Sequence, residues 1–465
     1  MDPRDRRRGF AARKGGRAVG LAVAGAMAGA LGACAHFTAA PLPQGPDLAT
    51  SASQLSVDVS RVRLAPLPPR RIDPAKGVDP IDVAILAVLN SPDLAAKRAA
   101  AHVAAAQTFS AGLLPDPTVP LSTDIPDKMA GFYTAFAVTP TIDISALITR
   151  SATLRAARAS ESQANLDVLW SEWSTAQQAR QYAVTVLTND EKAEVLARLD
   201  AELSERARQS GIALTRHDVT GPVASADLAA KLDADVQLAA ARVAADKARH
   251  QLNALIGLAP DARLPLVDSQ GPHDPEPAAV QSALAALPKR RPDLLALQAG
   301  YESQNGVLRK SILAQFPLLN VGYSRQRDTG NIYTNGAAAT VTLPIFNRNR
   351  GDIAIQRATR ERLAQEYRAR LDQTVADVAQ AQVDLANQQA ALGQFETEVP
   401  RLEAEADLGR PAFARRDLDS AAYLAIEQAV IKEVVAMWDT RLARRLADIG
   451  LETMLFLPPA EAGRP

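Results

Sequence analysis

Apolar positions along this chain recur at helical spacing over stretches far longer than a globular domain needs. No proline occurs from Thr141 to Gly221, and even 65 helical residues at 1.5 Å each would span about 100 Å. Within that window Leu166, Leu169, Trp173, Ala176, Ala183 and Leu187 fall on a three/four spacing that Arg180 interrupts, and the register slips before Val195, Leu199 and Leu203. Further on, Leu371, Val378, Leu385, Leu392 and Val399 repeat every seven residues. Sustained heptads with an intervening slip predict coiled-coil-like packing. The polar, Ala-rich flanks predict helices that meet water on one or both broad sides.

A different period appears in four short segments. Tyr133 to Val138 and Ala339 to Leu343 alternate apolar and small or polar residues, the period-two mark of a strand with one apolar face. Strands are expected at about Thr118 to Thr123 and Phe132 to Thr139, then at Leu318 to Arg325 and Ala337 to Leu343, with turn-rich segments inside each pair. A strand hairpin on a soluble core would give a similar pattern.

These elements come in two sets. Ser91-Pro92-Asp93-Leu94 returns as Arg291-Pro292-Asp293-Leu294, Leu114-Pro115 matches Phe316-Pro317, and Thr139-Pro140-Thr141-Ile142 matches Leu343-Pro344-Ile345. Three marks in the same order and near-constant register predict a duplicated half, with a first repeat over 81–285 and a second over 286–457. Each repeat should hold a short Ala-rich helix, two strands and a long helical hairpin, at about 145–257 and 350–450. The helices turn near Gly211 to Asp218 and near Gly409 to Asp417, where each glycine is expected to end the ascending helix and a nearby Thr or Asp to cap the descending one. Gly211, Thr215 and Asp218, with Gly409, Arg415 and Asp417, are either exposed docking tips or capped surface turns. Pro411 and the extra residue in the second turn make its geometry differ from the first, and Pro400 predicts a kink or restart at the end of the heptad run.

Composition narrows the function. The totals of 52 basic and 52 acidic residues balance, but seven of the basic ones lie before residue 18. Without residues 1–33 the chain carries 45 basic and 50 acidic groups, which removes the electrostatic footprint of a nucleic-acid binder. Aromatic residues make up 4%, which favours closely packed helices over a large-side-chain enzyme core. The basic start leads into a Gly/Ala-rich run, Ala18 to Ala35, with the layout of a secretory signal rather than a membrane anchor. It ends in Leu31-Gly32-Ala33-Cys34, which resembles a bacterial lipobox. Cys34, the sole cysteine, is then the lipidation candidate after removal of a signal peptide at 1–33. Residues 34–80, rich in Pro, Asp, Ser and Arg, predict an extended arm lying on the body, and 458–465 a short tail.

The motifs of catalysis and cofactor binding are missing: there is no Gly-x-Ser-x-Gly, Gly-x-Gly-x-x-Gly, phosphate-binding loop or His-Glu-x-x-His. The five histidines are isolated in sequence. Neither a cofactor nor an enzymatic activity is expected. Asp372, Asp377 and Asp384 could ring a pore or simply face solvent.

Taken together, the lipobox-like signal, the paired Pro-Asp-Leu marks, two strands per half, Leu343-Pro344-Ile345-Phe346 followed by Gly351, the helix ending in Leu252-Asn253-Ala254-Leu255-Ile256-Gly257, and the Gly-to-Asp turns resemble the TolC-like outer membrane factors, from Pro80 onward. The resemblance implies a mainly α fold: a long helical barrel beneath a transmembrane β-barrel to which each chain of a homotrimer gives four strands. It further implies a passive export duct in the outer membrane of a Gram-negative bacterium, whose helical tips meet a periplasmic adaptor (a membrane fusion protein) bound to an inner-membrane pump. Ala35 after the cysteine agrees with outer-membrane delivery. Independently, four strands are too few to close a barrel in lipid. The competing reading is a lipid-anchored periplasmic coiled-coil adaptor or scaffold whose strands stay out of the membrane.

Overall fold

The computed structural model describes residues 37–127, 131–268, 276–415 and 417–459; Cys34 and the signal-like segment lie outside them. Residues 37–47 are exposed and have no regular structure, and the compact unit begins at Leu48.

Eight α-helices and one small sheet make up the described part of that unit. They are α1 (Pro80–Asn90), α2 (Pro92–Gly112), α3 (Ile144–Thr215), α4 (Gly221–Ile256), α5 (Pro277–Arg290), α6 (Pro292–Leu313), α7 (Arg350–Ala414) and α8 (Ser420–Leu455). The strands are β1 (Leu121–Asp124), β2 (Ala135–Val138), β3 (Thr141–Asp143), β4 (Leu318–Arg327) and β5 (Tyr333–Thr342). Helix, helix, strands, long helix, helix is thus written twice in chain order.

At 72 residues, α3 is about 108 Å long. It packs against α4, α6, α2, α1 and α8, so it is the spine of the chain. The heptad run lies where the pattern requires: Val378, Leu385, Leu392 and Val399 of α7 are buried. Pro400 does not restart the helix, because α7 is one element from Arg350 to Ala414 with Pro400 and Pro411 inside it. Each proline removes one hydrogen bond and leaves a carbonyl four residues back without its partner. Those carbonyls belong to Glu396 and Asp407, both exposed, where water can satisfy them.

The large side chains gather at mid-length, where short helices and the arm lie across the long ones. Trp173 and Ala176 of α3 pack with Ile81, Ile85 and Val88 of α1, with Leu64 and Leu67 of the arm, and with Phe456. The Trp173 and Phe456 rings meet edge to face at 5.1 Å, and the Trp173 indole N–H donates to the Thr453 carbonyl. Arg180, the interruption in the apolar pattern, is buried here and pairs with Gln177 and Glu452. The arm is stitched down by bridges between Ala49 and Leu258 and between Val78 and Leu266. Arg70 grips Asp79 at 2.8 Å and Asp82 at 3.3 Å, the two carboxylates of the capping box that starts α1.

The two Pro-Asp-Leu marks each start a helix with proline in its first turn, where no N–H is missed. Their aspartates differ: Asp93 is exposed beside Lys97, whereas Asp293 is buried under a two-point grip from Arg291. The Leu252-to-Gly257 segment also has a local reason. Gly257 ends α4 at φ +73, where an added Cβ would stand 3.3 Å from the Asn90 carbonyl oxygen. Asn253 donates to the carbonyls of Ala259, Pro260 and Ala262 and holds the loop that follows.

Candidate functional site

Two regions carry the functional geometry, the sheet at one end of α3 and the hairpin turns at the other.

All strand pairs are antiparallel. β2 and β3 both pair with β4 in a single unshifted register, from Phe136 opposite Arg327 to Asp143 opposite Asn320, so they form one line broken at Thr139–Pro140. Proline has no N–H to give the ladder, yet its carbonyl still accepts from Tyr323. Gly322 makes that approach possible, because a Cβ there would lie 2.2 Å from the Pro140 oxygen.

Opposed residues share a face, so the register sorts every side chain. One face is mostly apolar, carrying Leu121, Phe136, Val138, Ile142, Leu319, Val321, Tyr323, Tyr333, Ala337, Ala339 and Val341, with Thr123, Arg325, Arg327 and Asn335 toward its loop end. The other is mostly polar or small, carrying Ser122, Asp124, Thr141, Asp143, Asn320, Ser324, Gln326, Thr334, Thr340 and Thr342, with Ala135, Ala137, Gly322, Gly336, Ala338 and the single large apolar residue Leu318. The apolar face is left open to solvent by this chain: Leu121 is 72% exposed, and Tyr323, Tyr333 and Val341 exceed 50%. At the loop end of this face, Arg327 lies over the Phe136 and Tyr333 rings and donates to the Thr134 carbonyl. Ten residues give β4 and β5 a length of about 34 Å, which at a tilt of about 40° matches the apolar band of about 25 Å in membrane barrels.

Neither hairpin turn uses its glycine as a stop. α3 continues through Gly211 to Thr215, and α7 through Gly409 to Ala414. The expectation that glycine ends each ascending helix is corrected: no left-handed residue is needed before the turn proper, and in the first turn His217 supplies it at φ +60. Asp218 and Asp417 do not cap the descending helices either. Their backbone N–H groups instead close the ascending ones, onto the carbonyls of Ala213 and Ala412, five residues back. The N-cap of α4 is Thr220, with no side-chain bond; that of α8 is Asp419, which accepts from the Ala421 N–H.

Gly211, Thr215 and Asp218 are exposed, as are Arg415 and Asp417, which pair with each other at 3.0 Å. Gly409 is buried and offers no surface to a partner. Its missing side chain admits the Tyr423 ring, which would lie 3.0 Å from a Cβ. Tyr423 stacks on Phe413 at 5.2 Å and 12°, and the Arg206 guanidinium sits 4.4 Å above Tyr423. Arg206 also pairs with Asp227 at 2.8 Å and with Glu427. One arginine on α3 therefore ties α4, α7 and α8 together beside the turns. Sequence inspection missed this junction because its members lie on four helices; only Gly409 and Phe413 belonged to a segment singled out there, the second turn.

Charge around the turns is tightly organised. Hydrogen bonds from Arg208 and Gln209 lower the Glu205 carboxyl to about 2. Burial, together with a hydrogen bond to Asp235, raises Asp200, while Lys231 holds Asp235 down. Burial and a hydrogen bond with Glu427 raise Tyr423. Asp372 and Asp377 are exposed on α7 and Asp384 is half-buried there, the last two bonded to Gln373 and Gln380. Among the described residues no group of three His, Cys, Asp or Glu side chains could hold a metal ion.

No protein-family model matches the chain, and no curated protein matches it. Solved structures do. The CmeC outer membrane channel of Campylobacter jejuni aligns at TM-score 0.70 and 13% identity, covering 93% of this chain and 96% of that one. The MtrE outer membrane channel of Neisseria gonorrhoeae, in its open state, aligns at 0.67 and 16% identity over 92% and 100%. The outer membrane protein VceC of Vibrio cholerae aligns at 0.65 and 15% identity over 80% and 95%. At such identities the likeness establishes the fold, mostly helical with a small sheet.

Proposed function

We propose that this chain is one protomer of an outer-membrane export duct, a passive channel that carries small molecules from the periplasm outward while a partner pump supplies the energy. The observation that carries this reading is the sheet. Its apolar face is open, its outer strands β1 and β5 have unpaired edges, and it sits at the end of helices too long to fold back into a globule. In water such a sheet would aggregate; in lipid it needs closure by further strands. Other copies of the chain supply those strands, and the family resemblance sets the number at three, giving twelve strands from four lines per chain. The polar face then lines the lumen. The likeness to outer membrane channels over nearly the whole chain supports the same assembly.

Cys34 is the proposed lipid attachment site, and the exposed turn residues Thr215, Asp218, Arg415 and Asp417 are the proposed contacts for a periplasmic adaptor. A lipid-anchored scaffold would share the cysteine and the helices but not an embedded sheet. An alkaline carbonate wash of outer membranes separates the two: Cys34→Ser protein is expected to stay with the membrane, held by its strands. Release of that variant into the supernatant would assign all membrane attachment to the lipid and sink the duct reading. Metabolic fatty-acid labelling of the wild type but not of Cys34→Ser is the matching expectation for lipidation.

A further inference from the structure

Beneath the sheet, α2, α3, α6 and α7 stand side by side as a wall one helix thick, α2 against α3, α3 against α6 and α6 against α7, while α1, α4, α5 and α8 pack on them lower down. Every helix therefore has two free faces, and the contacts say which is which. On α3, Ala156 and Gln163 meet Gly306 and Gly300 of α6, while Arg150 and Leu154 meet Gly112 at the end of α2. At 3.6 residues per turn, Arg155 falls midway across the wider face left over. The arm and α1 cover that same face lower down, around Trp173.

The same construction on α6 uses Gly300, Ser303 and Gly306 toward α3 and Gln304 toward Gln356 of α7, and it leaves Arg309 on the wide face. On α7, Asn349 and Gln356 mark the α6 flank, and Arg350 and Arg357 come a quarter turn round. Because neighbouring helices run in opposite directions, these quarter turns all lead to one side of the wall. Arg155, Arg309, Arg350 and Arg357 share it, each exposed and none in an ion pair among the described residues.

Their heights coincide too. Counted from the helix ends nearest the sheet, Ile144, Leu313 and Arg350, at 1.5 Å per residue, Arg350, Arg309 and Arg357 lie within about 10 Å, and Arg155 about 16 Å down. The first carboxylates on this side of α6 and α7, Glu302 and Glu361, begin only at about 16 Å. Directly above, at the strand–helix junctions, Phe316, Ile345 and Phe346 are exposed, Phe346 by 89%. A collar of bare apolar side chains followed at once by arginines without partners is the chemical order of a lipid leaflet, acyl chain then phosphate.

We propose that Arg309, Arg350 and Arg357 form a belt that binds the phosphates of anionic phospholipids in the leaflet facing the helices. The proposal rests on the duct reading, which puts the sheet in the membrane, but adds a headgroup preference that the reading does not require. Each basic side chain near an anionic leaflet is worth about 1 kcal/mol, roughly fivefold in binding. Three copies of the chain would repeat the belt around the barrel.

The test is lipid retention on the detergent-extracted full-length protein, read by native mass spectrometry against dioleoylphosphatidylglycerol and dioleoylphosphatidylcholine. The wild type is expected to hold the glycerol lipid at least about tenfold more tightly, with the preference falling as salt rises. Arg309→Gln/Arg350→Gln/Arg357→Gln should lose that preference, whereas Arg208→Gln/Arg216→Gln/Arg401→Gln, an equal charge loss at the turn end, should keep it. Equal retention of the two lipids by the wild type would overturn the belt even if the variants failed to assemble, and so would an unchanged preference in the belt variant. A protein that binds neither lipid and leaves the membrane without detergent would overturn the duct reading as well.

Discussion

The two hairpin turns are built from one sequence pattern and do different jobs. Each has a glycine seven or eight residues before an aspartate, and each aspartate N–H closes its helix on the carbonyl five residues back. Around Gly211 an added Cβ would meet nothing within 4 Å, and the turn relies on His217 in the left-handed region. Around Gly409 the helix is pressed against Tyr423, the ring is stacked on Phe413, and Arg206 bridges to Asp227 and Glu427. The first turn projects beyond the junction with its glycine unpacked, Arg206 and Ser210 joining Asp227 behind it, whereas the second packs its own glycine into the junction. A shared motif here marks where the chain reverses, while the neighbours decide what the reversal can do.

That contrast breaks most visibly at Arg206. Arg206→Met removes the cation between carboxylates that stay largely shielded, and about 3 kcal/mol or more of local stability should go with it. Hydrogen exchange around α4 and α8 near the turns should accelerate in the variant; unchanged protection would show that the junction fastens nothing.

The glycines should respond with opposite signs. Gly409→Ala forces a methyl toward the Tyr423 ring and should cost about 1–3 kcal/mol. Gly211→Ala fills open space inside a helix and should gain about 0.5–1 kcal/mol. Denaturant midpoints of the two variants are the measurement, and a shared sign would contradict the structural difference between the turns.

A smaller effect belongs to the Asp200 and Asp235 pair, about 22 Å along α3 from the first turn. The raised Asp200 means that the folded state binds more protons than the unfolded chain across the acidic range. Its stabilising contribution is therefore present at low pH and lost as pH rises through the raised value. Asp200→Asn should remove that part of the pH dependence and leave the variant at least as stable as wild type near neutrality. A variant that keeps the wild-type slope of stability against pH between 3 and 6, a range set by the ordinary carboxylate values, would remove the pair from the account.

Smallest in stability and largest in assembly are Asp218→Lys and Asp417→Lys. Both positions are exposed, so folding should change by no more than about 0.5 kcal/mol. Adaptor binding, read as co-purification or as tolerance to exported toxicants, should fall; unchanged tolerance would leave these turns as surface reversals alone.

Much of the architecture was legible in the residues because it is periodic. Leu371 through Val399 announced a seam that is buried at four of its five positions, and the alternation in Tyr133 to Val138 and Ala339 to Leu343 announced strands. Pro-Asp-Leu marked helix starts at Pro92 and Pro292 because proline is favoured in a first turn. Helix ends were read less well. Gly211 and Gly409 looked like stops, but a glycine inside a long, laterally packed helix costs only about 1 kcal/mol, and the packing outweighs it. Pro400 looked like a break, yet the lateral packing of α7 carries the helix through it, and the carbonyl it leaves unpaired, on exposed Glu396, can turn to water. The Arg206 junction and the arginine belt depend on residues far apart in sequence meeting across helices, which no local window contains.

The central claim is that the sheet needs strands from other copies and a membrane around it. It is tested most directly by the mass of the particle extracted in detergent from the outer-membrane fraction, from light scattering corrected for bound detergent. About three protomers is the expected result. A monomer released without detergent would contradict it, since the open apolar face of β4 and β5 would then have to be covered in water by something other than lipid.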